Sequence, residues 1–363
     1  MMSWRGSIGA PYRGREGPTG TPALYTCAPR DSLVAGPMPS DPKPAVGAGE
    51  SFTFAHLTDA HMTSPEGAAL GQLCNKRWLS YLSWRKRRRF LHDPAILERL
   101  IADLRNQRVG HMAITGDLTN LGLPSECEAA SGWLEGLGPA DRVSVIPGNH
   151  DRLVKAAWNE TVGLWSARMN SDSGSGSVAG PAGFPVLRVR GPVAFIGLLS
   201  AVPTPPFLAT GHLGHEQLRR LADVLRATGR RGLCRVVLIH HPPVPGAYKW
   251  RKRLTDAAAA EAVVRAHGAE LVLHGHTHRI TANRLTGPSG EGIPVVGLAS
   301  ASSTEASVTR ASRYSLWTVS SRPDGSFRLM HRSRRHDAAT GAYAECSDWD
   351  PLAPIRERPA PGA

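Results

Sequence analysis

Cysteine is scarce in this sequence, and the few cysteines are scattered. The 363 residues include five cysteines, and no two of them form a Cys-x-x-Cys pair. A disulfide framework or a structural zinc site needs cysteines at close, regular spacing. The sequence therefore argues against both and predicts reduced thiols in a fold held together by an ordinary hydrophobic core.

Long apolar runs are also missing. No stretch approaches the ~20 apolar residues that a transmembrane helix requires. The N-terminus has no uninterrupted apolar segment of the kind that a secretory signal carries. We therefore expect a cytoplasmic protein.

Negative charge is in short supply. The chain has 30 acidic residues against 43 lysines and arginines, for a formal net charge of +13. This excess favours anionic partners, which include phosphorylated metabolites, nucleic acid and acidic membrane surfaces. Charge alone does not choose among the three.

Composition divides the chain into three segments. Residues 1–50 are rich in Gly, Pro, Ser and Ala without apolar periodicity, which predicts a disordered leader and leaves Met38 as an alternative start. Residues 51–336 alternate short apolar strands with helical stretches, which is typical of an α/β domain. Residues 337–363 lose this periodicity and gain Pro, Ala and charge, so we expect a loosely ordered tail.

Nine strands and four helices are predicted within the domain. The strands are 52–58, 111–115, 142–146, 193–199, 236–240, 271–273, 295–299, 315–319 and 327–331. The helical pattern is clearest at 94–107 and 215–228, where apolar residues recur every three or four positions. It is weaker at 125–137 and 256–267.

A basic and aromatic insertion, residues 62–93, separates the first strand from its helix. Its basic residues are Lys76, Arg77, Arg85, Lys86, Arg87, Arg88 and Arg89, and they are interleaved with Trp78, Tyr81, Trp84 and Phe90. A charge run is most often solvated surface, but this mixture also suits an anionic membrane, contacted through residues 76–90, or an extended polyanion. The aromatics do not share one helical face, so both interpretations stay open. The position of the insertion predicts a lid or wall beside the site described next.

Five short motifs follow predicted strands, and each ends in side chains that can bind a metal ion. They are LTDAH with Asp59 and His61, TGDLTN with Asp117, IPGNHD with Asn149 and His150, LIHHPP with His240, and LHGHTH with His276 and His278. Loops after the carboxyl ends of strands are where α/β sheets place their sites. In an extended stretch, residues two apart face the same way, so the D-x-H and H-x-H pairs should each direct two ligands at one point.

The donor types indicate the kind of metal. Carboxylate, imidazole and amide oxygen without thiolate suit manganese, iron or zinc. Two neighbouring cations need a bridging anion, and Asp117 is the natural bridge. His241 and His274 adjoin predicted ligands and are either supporting partners of those ligands or packing residues. His241 is also an alternative to His240 as the ligand in LIHHPP. Six other histidines are expected to be ordinary core or surface residues: His56, His111, His212, His215, His331 and His336.

Taken in order, D-x-H, G-D, G-N-H-D, H and G-H-x-H resemble the motif series of the calcineurin-like metallophosphoesterase superfamily, over roughly residues 51–300. The resemblance implies a four-layer αββα sandwich of two mixed sheets flanked by helices. It implies one metal ion held by Asp59, His61, Asp117 and His278, and a second held by Asp117, Asn149, His240 and His276. His150 would contact the substrate phosphate and assist the leaving oxygen, and Asp151 would steady His150 from behind.

The resemblance implies a phosphoric ester hydrolase with two divalent ions (Mn²⁺, Fe²⁺/Fe³⁺ or Zn²⁺) as cofactors. Two cations would lower the pKa of a bridging water from ~16 toward neutrality and so supply hydroxide for in-line attack on phosphorus. The motif style is most similar to that of bacterial class III cyclic-nucleotide phosphodiesterases. The expected substrate is therefore a small phosphodiester, of the cyclic nucleotide or glycerophosphodiester type.

Three other functions are alternatives to this expectation. A lipid-linked nucleotide diphosphate is an alternative substrate, with the insertion touching the membrane and the enzyme peripheral to the inner membrane. A nuclease is favoured by the charge but lacks a recognised nucleic-acid module. A non-catalytic scaffold would be expected to have lost ligands, whereas every ligand position is filled here.

Overall fold

The described part of the chain contains twelve β-strands and six α-helices. The computed structural model describes residues 51–172 and 178–353, so the predicted leader and the last ten residues of the predicted tail lie outside the described residues. The strands are β1 (Ser51–Leu57), β2 (His111–Ile114), β3 (Val143–Val145), β4 (Val186–Arg190), β5 (Val193–Gly197), β6 (Cys234–Ile239), β7 (Leu271–His274), β8 (Thr281–Thr286), β9 (Gly292–Gly297), β10 (Arg313–Ser321), β11 (Phe327–His336) and β12 (Tyr343–Cys346). The helices are α1 (Leu70–Leu73), α2 (Arg77–Lys86), α3 (Pro94–Arg105), α4 (Pro124–Gly136), α5 (His215–Arg230) and α6 (Ala257–His267).

The strands form two mixed six-stranded sheets. Sheet 1 has the order β12-β11-β10-β1-β2-β3, in which β1, β2 and β3 are parallel and the remaining neighbours are antiparallel. Sheet 2 has the order β4-β5-β6-β7-β9-β8, in which the four central strands are parallel and both edge strands are antiparallel. The parallel strands of each sheet end on one side, which gathers their carboxyl-terminal loops.

Alternate residues of the central strands face two different cores. In β6, Val236 and Leu238 belong to the core shared by the two sheets, whereas Val237 and Ile239 pack with residues of α5 and α6. This alternation follows from the two-residue period of a strand. The rings of Phe54 on β1 and Phe195 on β5 meet edge to face at 5.0 Å between the sheets. The predicted αββα sandwich of two mixed sheets is therefore confirmed.

The insertion is anchored to the domain. Trp84 of α2 is buried, and Tyr81 packs against an apolar cluster formed by Leu73, Leu121, Leu123 and Leu153. The guanidinium of Arg77 donates to the carbonyl oxygens of Leu121 and Gly122, at 3.0 and 2.6 Å. These contacts fix α2 against the loops that follow β2 and β3.

The first part of the predicted tail is ordered, contrary to the expectation of loose packing. Residues 343–346 form β12, which pairs with the end of β11. Tyr343 is buried, and its hydroxyl lies 2.6 Å from Ser312 Oγ. A four-residue strand with one buried side chain has too little periodicity to stand out in the sequence.

Candidate metal centre

All nine predicted site residues lie in loops at the carboxyl ends of five strands. The loops follow β1, β2 and β3 of sheet 1 and β6 and β7 of sheet 2. The residues are Asp59, His61, Asp117, Asn149, His150, Asp151, His240, His276 and His278. The structure brings them together where the two sheets meet.

Four of the predicted ligands converge on one point. Asp59, His61, Asp117 and His278 each offer a donor atom, and these atoms all lie within 4.8 Å of one another. His278 Nε2 is 3.2 Å from Asp59 Oδ1 and 3.2 Å from His61 Nε2. Ions with bonds of about 2.0–2.2 Å hold adjacent ligand atoms roughly 3 Å apart. The arrangement therefore fits one metal ion.

A second group shares Asp117 with the first. Asp117 Oδ2 lies 4.0 Å from His61 Nε2 and 3.3 Å from His240 Nε2, and the latter is 3.1 Å from Asn149 Oδ1. His276 Nε2 is buried and has no hydrogen-bond partner among the described residues. Because a buried polar atom without a partner is unfavourable, this nitrogen also fits a metal ligand. Asp117 Oδ2 therefore lies between the two groups of side chains, where a carboxylate that bridges two metal ions must lie.

Backbone carbonyls orient two of the imidazoles. His61 Nδ1 lies 3.0 Å from Thr119 O, and His240 Nδ1 lies 2.7 Å from Thr115 O. These contacts hold a proton on each Nδ1, so each Nε2 points into the centre and is the nitrogen that can bind a metal ion once it is unprotonated.

The backbone at the ligands is left-handed, not extended. Within the described ranges, seven non-glycine residues have a positive φ, and five of them are predicted ligands: Asp59 (52°), His61 (39°), Asp117 (56°), His276 (70°) and His278 (50°). The prediction that the D-x-H and H-x-H pairs converge through extended backbone is therefore wrong, although Asp59 and His61 do converge. Such conformations cost about 1–3 kcal/mol each and are typical of functional sites.

Two motif glycines make room for the carboxylates. A Cβ on Gly148 would overlap Asp117 Oδ1, and a Cβ on Gly275 would approach Asp59 Oδ2 to 2.7 Å. The glycines of PGN and HGH are therefore required by close approach to two ligands.

The charges at the bridge favour an ionised carboxylate. Burial alone would raise the pKa of Asp117, but the surrounding imidazoles, His240 foremost, hold it well below its ordinary value. Burial in turn lowers the pKa of His240, yet the Asp117 charge outweighs this effect and raises it to about 9. The bridging position is thus negative and suited to cations.

The Asp151 carboxylate makes no hydrogen bond to the His150 side chain, which differs from the arrangement expected for its steadying role. Its carboxylate accepts hydrogen bonds from the backbone N–H groups of Asp117, Thr119 and Gly148, at 2.8–2.9 Å, and from Thr119 Oγ1 at 3.0 Å. The carboxylate instead joins the loop after β2 to the loop after β3. The sequence could not distinguish these roles, because they differ only in which donors the fold brings near.

His150 faces a residue of the insertion that the motifs did not indicate. Arg88 Nη1 lies 2.9 and 3.0 Å from the two ring nitrogens of His150, and His150 Nδ1 also lies 2.8 Å from Asn120 O. Burial, together with the Arg88 charge, lowers the pKa of His150 to about 3. Burial lowers the pKa of Arg88 only to about 10, so the guanidinium stays charged at neutral pH.

Two further histidines border the centre. The ring of His92, at the end of the insertion, lies 4.4 Å from that of His61, and its Nδ1 is 3.0 Å from Ser302 Oγ. No signal in the sequence marked this lone histidine. His241 Nδ1 is 2.9 Å from Ser200 Oγ, and its ring is 4.5 Å from that of His276. His240, and not His241, makes the short approaches to Asp117 and Asn149.

A cleft of ≈ 390 Å³ opens beside Asn149 and His150. Lys76 and Arg88 line it with positive charge. Its apolar wall consists of Leu79, Leu153, Phe207, Leu208 and Ala209. Burial lowers the pKa of Lys76 to about 8, which leaves this side chain largely cationic at neutral pH. The cleft therefore combines charge near the centre with an apolar wall.

The model of the calcineurin-like phosphoesterase family matches residues 52–279. This match covers more than half of the chain and includes every predicted ligand, so the chain belongs to the calcineurin-like phosphoesterase family. The family depends on a dinuclear metal centre and hydrolyses phosphoric esters, and this chain has the side chains for such a centre. No curated protein matches the chain in sequence.

Two solved structures are similar to this chain. A dimetal phosphatase from Danio rerio is similar with a TM-score of 0.53 and 17% sequence identity, over 81% of this chain and 98% of that chain. A purple acid phosphatase from yellow lupin (Lupinus luteus) gives a TM-score of 0.45 and 12% identity, over 84% of this chain and 54% of that chain. At 17% identity the likeness to the Danio rerio structure concerns the fold alone.

Proposed function

We propose that this protein is a phosphodiesterase that hydrolyses a small phosphodiester. The observation that carries the proposal is the cleft beside His150, which adjoins the centre and has an apolar wall. A monoester has one organic substituent on phosphorus, whereas a diester has two and needs room on both sides of the phosphate. A cyclic nucleotide or a glycerophosphodiester would fit such a space.

In this proposal the chain holds two divalent ions, with manganese, iron or zinc as candidates. Asp59, His61, Asp117 and His278 would bind one, and Asp117, Asn149, His240 and His276 would bind the other. When bound, such ions lower the pKa of water and neutralise charge on the phosphate. The left-handed ligand backbone and the buried Nε2 of His276 support this assignment.

Arg88 and His150 would hold the phosphate from the side opposite the ligands. Arg88 is cationic and fixed by a 3.0 Å hydrogen bond from its Nη2 to Ser80 O. A substrate oxygen that reaches Arg88 would accept a hydrogen bond from its guanidinium, which stabilises charge that develops as the ester bond breaks. His150 would then assist the leaving oxygen.

The ester preference tests the proposal directly. With purified protein in Mn²⁺, we expect kcat/KM for bis(para-nitrophenyl) phosphate to exceed that for para-nitrophenyl phosphate by about tenfold or more, and turnover of both to vanish in Asp117→Asn, because the bridge supports every step. The exposed His215→Ala is the matched control and should retain wild-type rates. A faster monoester reaction would contradict the diesterase proposal and leave the broader hydrolase assignment standing.

A lipid-linked nucleotide diphosphate is the second candidate substrate. Lys76 and Arg88 supply two cations in one cleft, which would suit a second phosphate, and the apolar wall would suit a lipid chain. We expect kcat/KM for a lipid-linked nucleotide diphosphate to exceed that for bis(para-nitrophenyl) phosphate if this candidate is correct. Equal or lower values would favour the small diester.

A further inference from the structure

Large apolar side chains are exposed around the mouth of the cleft. Nine large hydrophobic residues are exposed within the described ranges, and five of them lie on three neighbouring segments of the chain. They are Trp78 (46% exposed), Leu79 (38%) and Phe90 (62%) in the insertion, Phe207 (75%), and Trp250 (61%). Exposed tryptophan and phenylalanine side chains that cluster on a surface usually mark a contact with another molecule.

Contacts between the three segments show that they form one surface. Lys76 Nζ, just before α2, donates to Thr204 Oγ1 and Leu208 O at 2.6 and 2.7 Å. Ala209 N donates to Arg251 O at 2.9 Å. Phe207 lines both the cleft beside His150 and a second, mainly apolar groove with Trp250. We name this surface, made of residues 76–90, 204–209 and 245–255, the docking rim.

The docking rim is strongly cationic. None of its residues is acidic. Eight of its basic residues are exposed: Arg85, Lys86, Arg87, Arg89, Lys249, Arg251, Lys252 and Arg253. The guanidinium of Arg251 stacks over the Trp250 ring at 5.1 Å, which places an aromatic and a cation side by side.

We propose that the docking rim binds the surface of an anionic lipid bilayer. Tryptophan and phenylalanine enter the boundary between headgroups and acyl chains, while lysine and arginine contact lipid phosphates. An anionic bilayer therefore offers contacts to both the apolar and the basic side chains of the docking rim. The described residues contain no helix long and apolar enough to cross a membrane. The cleft then opens toward the bilayer, and a substrate with a lipid portion reaches the centre from it.

Vesicle flotation tests the apolar half of the rim without any substrate. At low salt, the full chain is expected to float with phosphatidylcholine vesicles that contain phosphatidylglycerol and to stay behind with phosphatidylcholine alone. Phe207→Ser with Trp250→Ser should lower the bound fraction at least about tenfold, since both side chains enter the interface. Leu164→Ser with Met330→Ser removes exposed side chains elsewhere on the protein and should change nothing.

A charge-reversal pair tests the other half. Arg85→Glu with Lys86→Glu is expected to abolish flotation, while Arg322→Glu with Arg328→Glu, an equal charge change at exposed positions outside the rim, should preserve it. If both double variants lost flotation equally, binding would depend only on the net charge of the protein, and the proposal would be overturned. Absence of flotation, or a rim that instead binds duplex DNA or forms dimers, would overturn it as well. Flotation is measured without substrate, so its outcome can be separated from that of the ester-preference test.

Discussion

Arg88 is the residue whose position changes the interpretation of the sequence most. Within a run of basic residues it has no distinguishing neighbour, and the sequence favoured solvated surface or an anionic partner for the whole run. In the structure Arg88 has a different environment from the rest of that run. Its guanidinium reaches His150, whereas Arg85, Arg87 and Arg89 are exposed. A fixed cation at this point adds to the attraction for a phosphate.

Replacing Arg88 by methionine keeps the length of the side chain and removes the charge. We expect kcat/KM for a soluble aryl phosphodiester to fall roughly tenfold to a hundredfold, the value of one charge-assisted hydrogen bond. Arg87→Met is the matched control, because Arg87 is exposed one position away and should lose less than about twofold. Equal losses in the two variants would show that Arg88 acts only through the charge of the insertion.

The nine motif residues could be identified from the sequence because they occur in five ordered motifs, each at the end of a strand. Arg88 and His92 could not be identified, because each reaches the centre through the path of the insertion and not through local spacing. The left-handed backbone conformation of the predicted ligands could not be predicted from the sequence either. Aspartate and histidine tolerate that conformation only when surrounding contacts impose it, and those contacts come from distant parts of the chain.

At the level of elements, the loops after β2 and β3 depend on one buried carboxylate. Asp151 accepts four hydrogen bonds from those loops, three of them from backbone N–H groups. A similar device operates nearby, where buried Glu126 accepts hydrogen bonds from the backbone N–H groups of Asn120, Leu121 and Leu123. These two loops are thus held in shape by carboxylates that are not themselves predicted to bind a metal ion.

Asp151→Ala is expected to lower the free energy of unfolding of the metal-free protein by at least about 3 kcal/mol, because three buried N–H groups lose their acceptor. Asp151→Asn should cost less, since an amide oxygen still accepts. Urea unfolding measures both, with the exposed Asp141→Ala as control. Full stability combined with a loss of kcat would instead restore a direct catalytic role for Asp151.

The nine strands predicted from the sequence are all present, and the three that were missed share one property. β4, β8 and β12 are edge strands of their sheets. Central strands are covered on both faces and therefore form continuous apolar runs, whereas an edge strand is only partly covered and keeps polar residues. β8, with the sequence TANRLT, has one fully buried residue and looks like a loop in isolation. The four predicted helices are present as α3 to α6, within two residues of the expected bounds.

At the level of the whole molecule, the centre draws ligands from both sheets. Asp59, Asp117 and Asn149 come from sheet 1, while His240 and His276 come from sheet 2. Ions held between them would link the two halves of the sandwich. Removing the ions should therefore weaken the packing of the entire domain as well as the reaction.

We expect chelation to lower the free energy of unfolding by about 3 kcal/mol under conditions where the ion concentration had been a hundred times its Kd. Thermal unfolding before and after treatment with a chelator measures this as a fall in Tm of several degrees, reversed by added Mn²⁺. In Asp117→Asn the chelator should have little effect, because the bridge is already lost. A wild-type Tm that ignores the chelator would contradict a centre that spans both sheets.

Sheet 1 combines the first three strands of the domain with the last three, so it cannot be completed until nearly the whole domain has left the ribosome. All seven predicted ligands have been synthesised once His278 has emerged, but β1, which carries Asp59 and His61 at its end, gains its antiparallel neighbour only with β10. Until then one side of β1 presents unpaired backbone groups, the kind of edge that invites aggregation. A nascent chain that stops near residue 300 would possess the complete ligand set yet lack the strand that closes the sheet beneath it.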